Sequence, residues 1–193
     1  IRNCLVRQNT TGSSGEGGGL GIVGGGKPQI INCLFLGNRA RMGGGAAVSS
    51  SSTGDAVFVN CAFSGNMATL ATSEGKGGGI SIMNTGQVTL TNCSFTLNNA
   101  TQYGGGIYSE KPAPAVIITN CIAWGNTVPL GQNPGMQIYY AITAPVITYS
   151  CVQGGWPGTG NINEDPLFLD ADGADNVAGT IDDDLRLAFT SPC

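Results

Sequence analysis

The chain has 193 residues, 32 of them glycine, and no histidine. That length buries a full core within one domain, and the missing imidazole removes His-based acid–base catalysis, the Ser-His-Asp triad and His metal ligands together. Charge is sparse and uneven: residues 1–160 hold seven bases and four acids, while residues 161–193 hold one base and eight acids. No basic run or basic–aromatic interleaving points to nucleic acid, and no apolar stretch approaches the ~20 residues of a membrane helix.

In chain order, "IRNCLVRQN" already has the form of the second half of a repeat. Glycine triplets follow at Gly17–Gly19, Gly43–Gly45, Gly77–Gly79 and Gly104–Gly106. Cys4, Cys33, Cys61, Cys93, Cys121 and Cys151 lie 29, 28, 32, 28 and 30 residues apart. Each unit reads as a glycine triplet, a short apolar run, a variable loop, a β-branched run, Asn-Cys, a second apolar run and a closing Asn. Three short strands per unit fit this pattern, and a helical period does not.

Side-chain parity locates a corner. Three residues before the Cys stand Ile1, Ile30, Phe58, Leu90 and Ile118, with Thr148 the exception; two after it stand Val6, Phe35, Phe63, Phe95 and Ala123, with Gln153 the exception. Positions five apart cannot both face inward on one strand, because strands alternate by two. A left-handed Asn before Cys4, Cys33, Cys61, Cys93 and Cys121 turns the corner, and its amide can pair with those above and below. Asn32, Asn60, Asn92 and Asn120 are therefore expected as an asparagine ladder, beside Cys33, Cys61, Cys93 and Cys121. The sum is an all-β, right-handed parallel β-helix of about five to six coils over residues 1–153. Residues 154–193 form an irregular acidic C-terminal segment that caps it.

Gly-Gly-Gly-[Leu/Ala/Ile] followed by "FLGN", "FSGN" or "FTLN" resembles the repeats of polymorphic outer-membrane-protein adhesins. More broadly the chain is similar to secreted right-handed β-helix proteins of the pectate-lyase-like superfamily; "VRQN" and "AWGN" depart by losing the Phe. The tail, "DPLFLDADGADN…SPC", resembles the segment that closes such surface proteins. The resemblance implies an extracellular or bacterial outer-surface location, and a fold that hosts many activities.

One Cys per coil makes an inward column that cannot enclose zinc, since no two cysteines are closer than 28 residues. Neighbouring Cβ atoms in parallel strands stand about 4.8 Å apart, outside the usual disulfide window of roughly 3.5–4.5 Å. Buried thiols acting as small hydrophobes are the main reading, with a bridge between neighbours the alternative. Cys193 stands outside the column, and its partner is expected beyond the chain's end.

Enzymes of the resembled superfamily work from the groove along the first strand. The outward residues there, Gly21, Ala47, Ser81 and Tyr108, supply neither the base and cation of a lyase nor the carboxylate pair of a hydrolase. Lys27, Asp55, Glu110 and Lys111 fall in loops of unequal length. A non-enzymatic structural or adhesive module is the reading, with a carbohydrate-active β-helix whose site lies in flanking sequence as the alternative. Polar segments such as "NTTGSSGE", "SSSSTGD" and "NMATLATSEGK" read as solvated loops. Asn9 (NTT) and Asn99 (NAT) match glycosylation sequons. Tyr139, Tyr140, Trp124 and Trp156 either stack on sugars or cover the core at the end of the coil. Asp170, Asp172 and Asp175 are close enough in sequence for calcium, with Ala174 departing from the EF-hand pattern and a solvated acidic loop the alternative. The expected partners are flanking coils, neighbouring subunits joined head to tail into a filament, or surface glycans.

Overall fold

In the computed structural model, the described residues are 1–49, 55–69, 74–83, 86–113, 116–129 and 136–193. The chain winds into stacked coils whose strands pair in parallel with the equivalent strands of the coils above and below. The first face holds five strands: Leu20–Ile22, Ala46–Ser49, Ile80–Met83, Ile107–Glu110 and Ile138–Tyr140. The second holds Gln29–Ile31, Ala56–Val59, Val88–Thr91, Ile117–Thr119 and Val146–Thr148. The third holds six, from Leu5–Arg7 to Cys151–Val152. No helix occurs among the described residues.

Each corner has a chemical cause. Asn3, Asn32, Asn60, Asn92 and Asn120 have φ of 53–54°, the left-handed conformation that asparagine tolerates better than other side chains. The glycine triplets make the opposite corner. Gly43 has φ +63°, whereas Gly44 and Gly45 are needed for close approach. A Cβ on Gly44 would stand 2.5 Å from the carbonyl of Gly78 in the next coil, and one on Gly45 2.8 Å from the ring of Phe63.

Apolar rows fill the interior. Phe35, Phe63 and Phe95 stack with ring centroids 4.6 and 4.7 Å apart and nearly parallel planes. Ile30, Phe58, Leu90, Ile118 and Ile147 form a second buried row, and Cys33, Cys61, Cys93 and Cys121 are buried beside them.

Two features depart from the three-strand expectation. A short fourth strand follows the closing Asn in three coils, at Arg39–Ala40, Met67–Ala68 and Asn99–Ala100. Ala40, Ala68 and Ala100 are fully buried, so the starts of these segments are packed structure and not solvated loop. Residues 50–54 of "SSSSTGD" and 70–73 of "NMATLATSEGK" lie outside the described residues.

The sixth repeat is out of step by one residue. Tyr149, with φ 50°, occupies the Asn corner, and Ser150 the thiol position. Cys151 pairs with Ile122 and Val152 with Ala123. Cys151 therefore does not belong to the inward column, contrary to the even Cys spacing. The shift restores parity, since Ile147 and Val152 become the inward pair in place of Thr148 and Gln153.

Candidate functional site

Three constellations carry the polar chemistry of the molecule: two rows of amides along the coil axis, a tyrosine-centred cluster on the first face, and the contact between tail and third face.

Along one corner, each side-chain amide donates to its predecessor: Asn32 to Asn3 at 3.1 Å, Asn60 to Asn32 at 3.1 Å, Asn92 to Asn60 at 3.0 Å and Asn120 to Asn92 at 2.7 Å. The adjacent thiols each donate to the carbonyl two residues earlier, at 3.3 Å in Cys33, Cys61, Cys93 and Cys121. Cys61 and Cys93 are pushed up, Cys93 to about 12, through the hydrogen bond each shares with the next thiol and through burial. Cys121 is drawn down by the bond from Cys93.

A second row, formed by the closing asparagines, was not assigned a role from sequence. Asn38, Asn66, Asn98 and Asn126 are at most 2 % exposed. Each Nδ2 donates both to the next coil's amide oxygen and to a carbonyl of the preceding coil, and each backbone N–H donates to that same amide oxygen. The Phe-x-x-Asn spacing was the available signal. It places Asn one corner beyond the stacked Phe. Asn9 belongs to the same row, its Nδ2 donating to Asn38 Oδ1 at 2.9 Å, and Asn99 Nδ2 donates to Thr127 Oγ1 at 2.8 Å. A glycan on either nitrogen has to displace that bond.

On the first face, Ala47, Ser81 and Tyr108 point outward but are at most 2 % exposed, so no open groove runs over them. Tyr108 lies beside Tyr139 (5.8 Å between centroids), and Tyr139 in turn stacks on Tyr103 at 4.4 Å. Lys76 Nζ sits 5.0 Å from the Tyr108 ring and 3.7 Å from Glu110. Tyr108 Oη donates to Glu110 at 2.7 Å. Burial and this carboxylate push the phenol upward, so it is a hydrogen-bond donor and not a base.

Glu110 ends a strand, so it is not a loop residue as the sequence suggested. Lys27 and Asp55 do meet, at 3.0 Å, and the Lys27 bond holds the Asp55 carboxyl below its usual range. Lys111 is buried, and desolvation lowers its amine. Arg41 bridges Glu16 at 2.7 Å and Glu74 at 2.6 Å. All four acids of residues 1–160 are therefore engaged by a cation.

The aromatic residues divide. Trp156 packs on the core and meets Tyr140 edge-on, closing the last coil. Asn161 helps there, donating to Ile147 O and accepting from Ser150 N. Trp124 lies on the third face.

The tail does more than cap. After Ile162 bridges Cys151, a hairpin of Phe168–Asp170 and Asp184–Leu187 forms. Next to it, Ala178–Gly179 abut Gly37 and Gly65; a Cβ on Gly65 would stand 2.3 Å from Ala178 O. Asp183 Oδ2 accepts from Ser64 Oγ at 2.6 Å and from Gly179 N at 2.8 Å. The segment thus lies back along the third face, over coils far from its own end.

The three aspartates proposed for calcium are not brought together. Asp170 pairs with Asp184 in the hairpin, and Asp175 Oδ1 accepts from Val177 N. Among the described residues, no group of three His, Cys, Asp or Glu side chains is arranged to hold a metal ion. No helix of the described residues is long and apolar enough to cross a membrane.

Comparison with known proteins agrees with the coil geometry. The family model described as "Right handed beta helix region" matches residues 18–155. No curated protein and no solved structure gives a significant match. With most of the chain matched and its strands stacked in parallel coils, the protein belongs to the right-handed β-helix family.

Proposed function

We propose that this chain is a non-catalytic β-helix module of a bacterial cell surface or extracellular matrix, a rigid body that presents loops and faces for adhesion. The observation that supports it most is the pairing of Glu16, Asp55, Glu74 and Glu110 with Arg41, Lys27 or Lys76. General acid–base hydrolysis needs two carboxylates with different protonation states, and lyase chemistry needs a free base beside a neutralising cation. Carboxylates held by cations serve neither task well. The resemblance of the Gly-Gly-Gly and Phe-x-x-Asn motifs to surface adhesins supports the location. The strands Leu5–Arg7 and Leu20–Ile22 each pair on one side only, whereas Gln29–Ile31 is covered on that side by residues 1–3. That edge suits continuation by flanking coils or by a neighbouring copy.

The test is to incubate the protein with acidic and neutral polysaccharides while following both binding and new reducing or unsaturated ends. Reversible retention, or none, with no product above buffer is expected. Turnover that disappears in Glu110→Gln overturns the reading in favour of a carbohydrate-active enzyme.

A further inference from the structure

The one-residue slip in the last coil changes what Cys151 can do. In the preceding coils the Cys side chain faces the interior, and Cys33, Cys61, Cys93 and Cys121 belong to the apolar core. Cys151 does not, although it is only 3 % exposed. It takes the outward register of Ile122, and its thiol donates to Glu164 O of the tail at 3.0 Å. Its cover is the C-terminal segment.

That segment ends at Cys193. Leu187, Pro192 and Cys193 of this segment line a cleft of about 500 Å³ together with Cys121 and Cys151 of the coils. Cys151 and Cys193 thus border the same cleft. A short turn holds the approach, with Ser191 N donating to Ala188 O and Cys193 N to Ser191 Oγ. The only cysteine of the tail thus meets the only coil cysteine turned outward.

We propose that Cys151 and Cys193 form a disulfide that fastens the C-terminal segment to the last coil. The interstrand spacing that argues against bridges within the column does not apply, because Cys193 arrives from a separate segment and not from a neighbouring parallel strand. The oxidant is a small-molecule or protein disulfide. The thiolate of one cysteine attacks it, releasing one thiol and leaving a mixed disulfide. The second protein thiolate then displaces the other half, so two protein thiols are oxidised, one disulfide is reduced to two thiols, and the sulfur–sulfur bond joins Cys151 to Cys193. The bridge closes a loop of roughly 40 residues, and the stabilisation from a cross-link grows with the length of the loop it closes.

The experiment is to equilibrate the purified chain with glutathione disulfide, alkylate it in denaturant, digest it without reduction and identify linked peptides by mass spectrometry. A peptide containing Cys151 joined to one containing Cys193, with the other five cysteines alkylated, is expected. Reduction should lower the melting temperature of the oxidised protein by roughly 5–10 °C and leave Cys193→Ser unchanged. Seven alkylated thiols, glutathione retained on Cys193, or a link from Cys193 to any other cysteine overturns the proposal.

Discussion

Asn66 Nδ2 donates at 3.0 Å to Asn98 Oδ1 and at 2.8 Å to Phe35 O, bonding the coils on both sides of it through one fully buried side chain. Its own Oδ1 accepts from Asn38 Nδ2 and from Asn38 N, both at 3.0 Å. Asn66→Ala therefore strands buried donors and acceptors in three coils. It should cost about 3 kcal/mol or more, against about 1–2 kcal/mol for Asn60→Ala, whose amide is exposed. Urea unfolding of the two variants checks the order; equal losses would show that the buried row carries no special weight.

Gly78 and Gly21 make an opposed pair. A Cβ on Gly78 would stand 2.4 Å from Gly105 O and 2.5 Å from Asn99 O, both backbone atoms fixed by the neighbouring coil. Gly78→Ala should prevent soluble folding or lower the melting temperature by more than about 10 °C. On Gly21 the nearest neighbour is Glu16 O at 3.6 Å, an ordinary contact. Gly21→Ala should leave the melting temperature within about 2 °C, and thermal scans of both proteins test the contrast.

Ser109 Oγ is buried with no hydrogen-bond partner among the described residues, in the inward row beside Ile82. Replacing an unsatisfied hydroxyl with a methyl removes a desolvation penalty. Ser109→Ala should raise stability by up to about 1 kcal/mol. A loss of that size would reveal a partner for the hydroxyl.

Acid should loosen the tail before the coils. The hydrogen bond from Arg186 holds Asp184 at about 2, and Thr180 lowers Asp182. Carboxyls depressed in the folded state add stability above their unfolded value near 3.9 and lose it as pH falls through the folded value. Between about pH 4 and pH 2 the hairpin should detach while the stacked sheets persist. Hydrogen exchange of residues 168–187 against residues 88–96 reads this directly; simultaneous exposure of both would contradict it.

Bridge formation should be slow at neutral pH. Desolvation and the nearby Cys151 side chain push the Cys193 thiol up to about 12. Only the thiolate attacks a disulfide, so the oxidation rate should climb close to tenfold per pH unit between about pH 7 and 9. A rate independent of pH in stopped samples would place the reactive thiol elsewhere.

Much of the coil was legible because a repeated one-residue corner leaves a repeated chemical mark. Asn32, Asn60, Asn92 and Asn120 each show the positive φ that the parity conflict demanded. The slip at Tyr149–Cys151 was masked by the even Cys spacing, although Thr148 and Gln153 had already broken the apolar pattern. The fourth strand also left a trace, in Ala40, Ala68 and Ala100 two residues after each closing Asn, but a two-residue strand is too short for period-2 alternation. The return of the tail over Gly37 and Gly65 left no local mark, because it is a contact between segments more than 100 residues apart.

That the repeated Asn–Cys pair is a packing device and not a reactive one is tested most directly by timed thiol labelling of the reduced, folded protein. Cys4 is exposed and should label at once; Cys193, exposed but with its thiol pushed up, should label more slowly, and Cys151 should follow the opening of the tail. Cys33, Cys61, Cys93 and Cys121 should stay unlabelled until global unfolding and then react together. Labelling of any of these four in the folded state, at a rate unaffected by added stabiliser, would contradict the account.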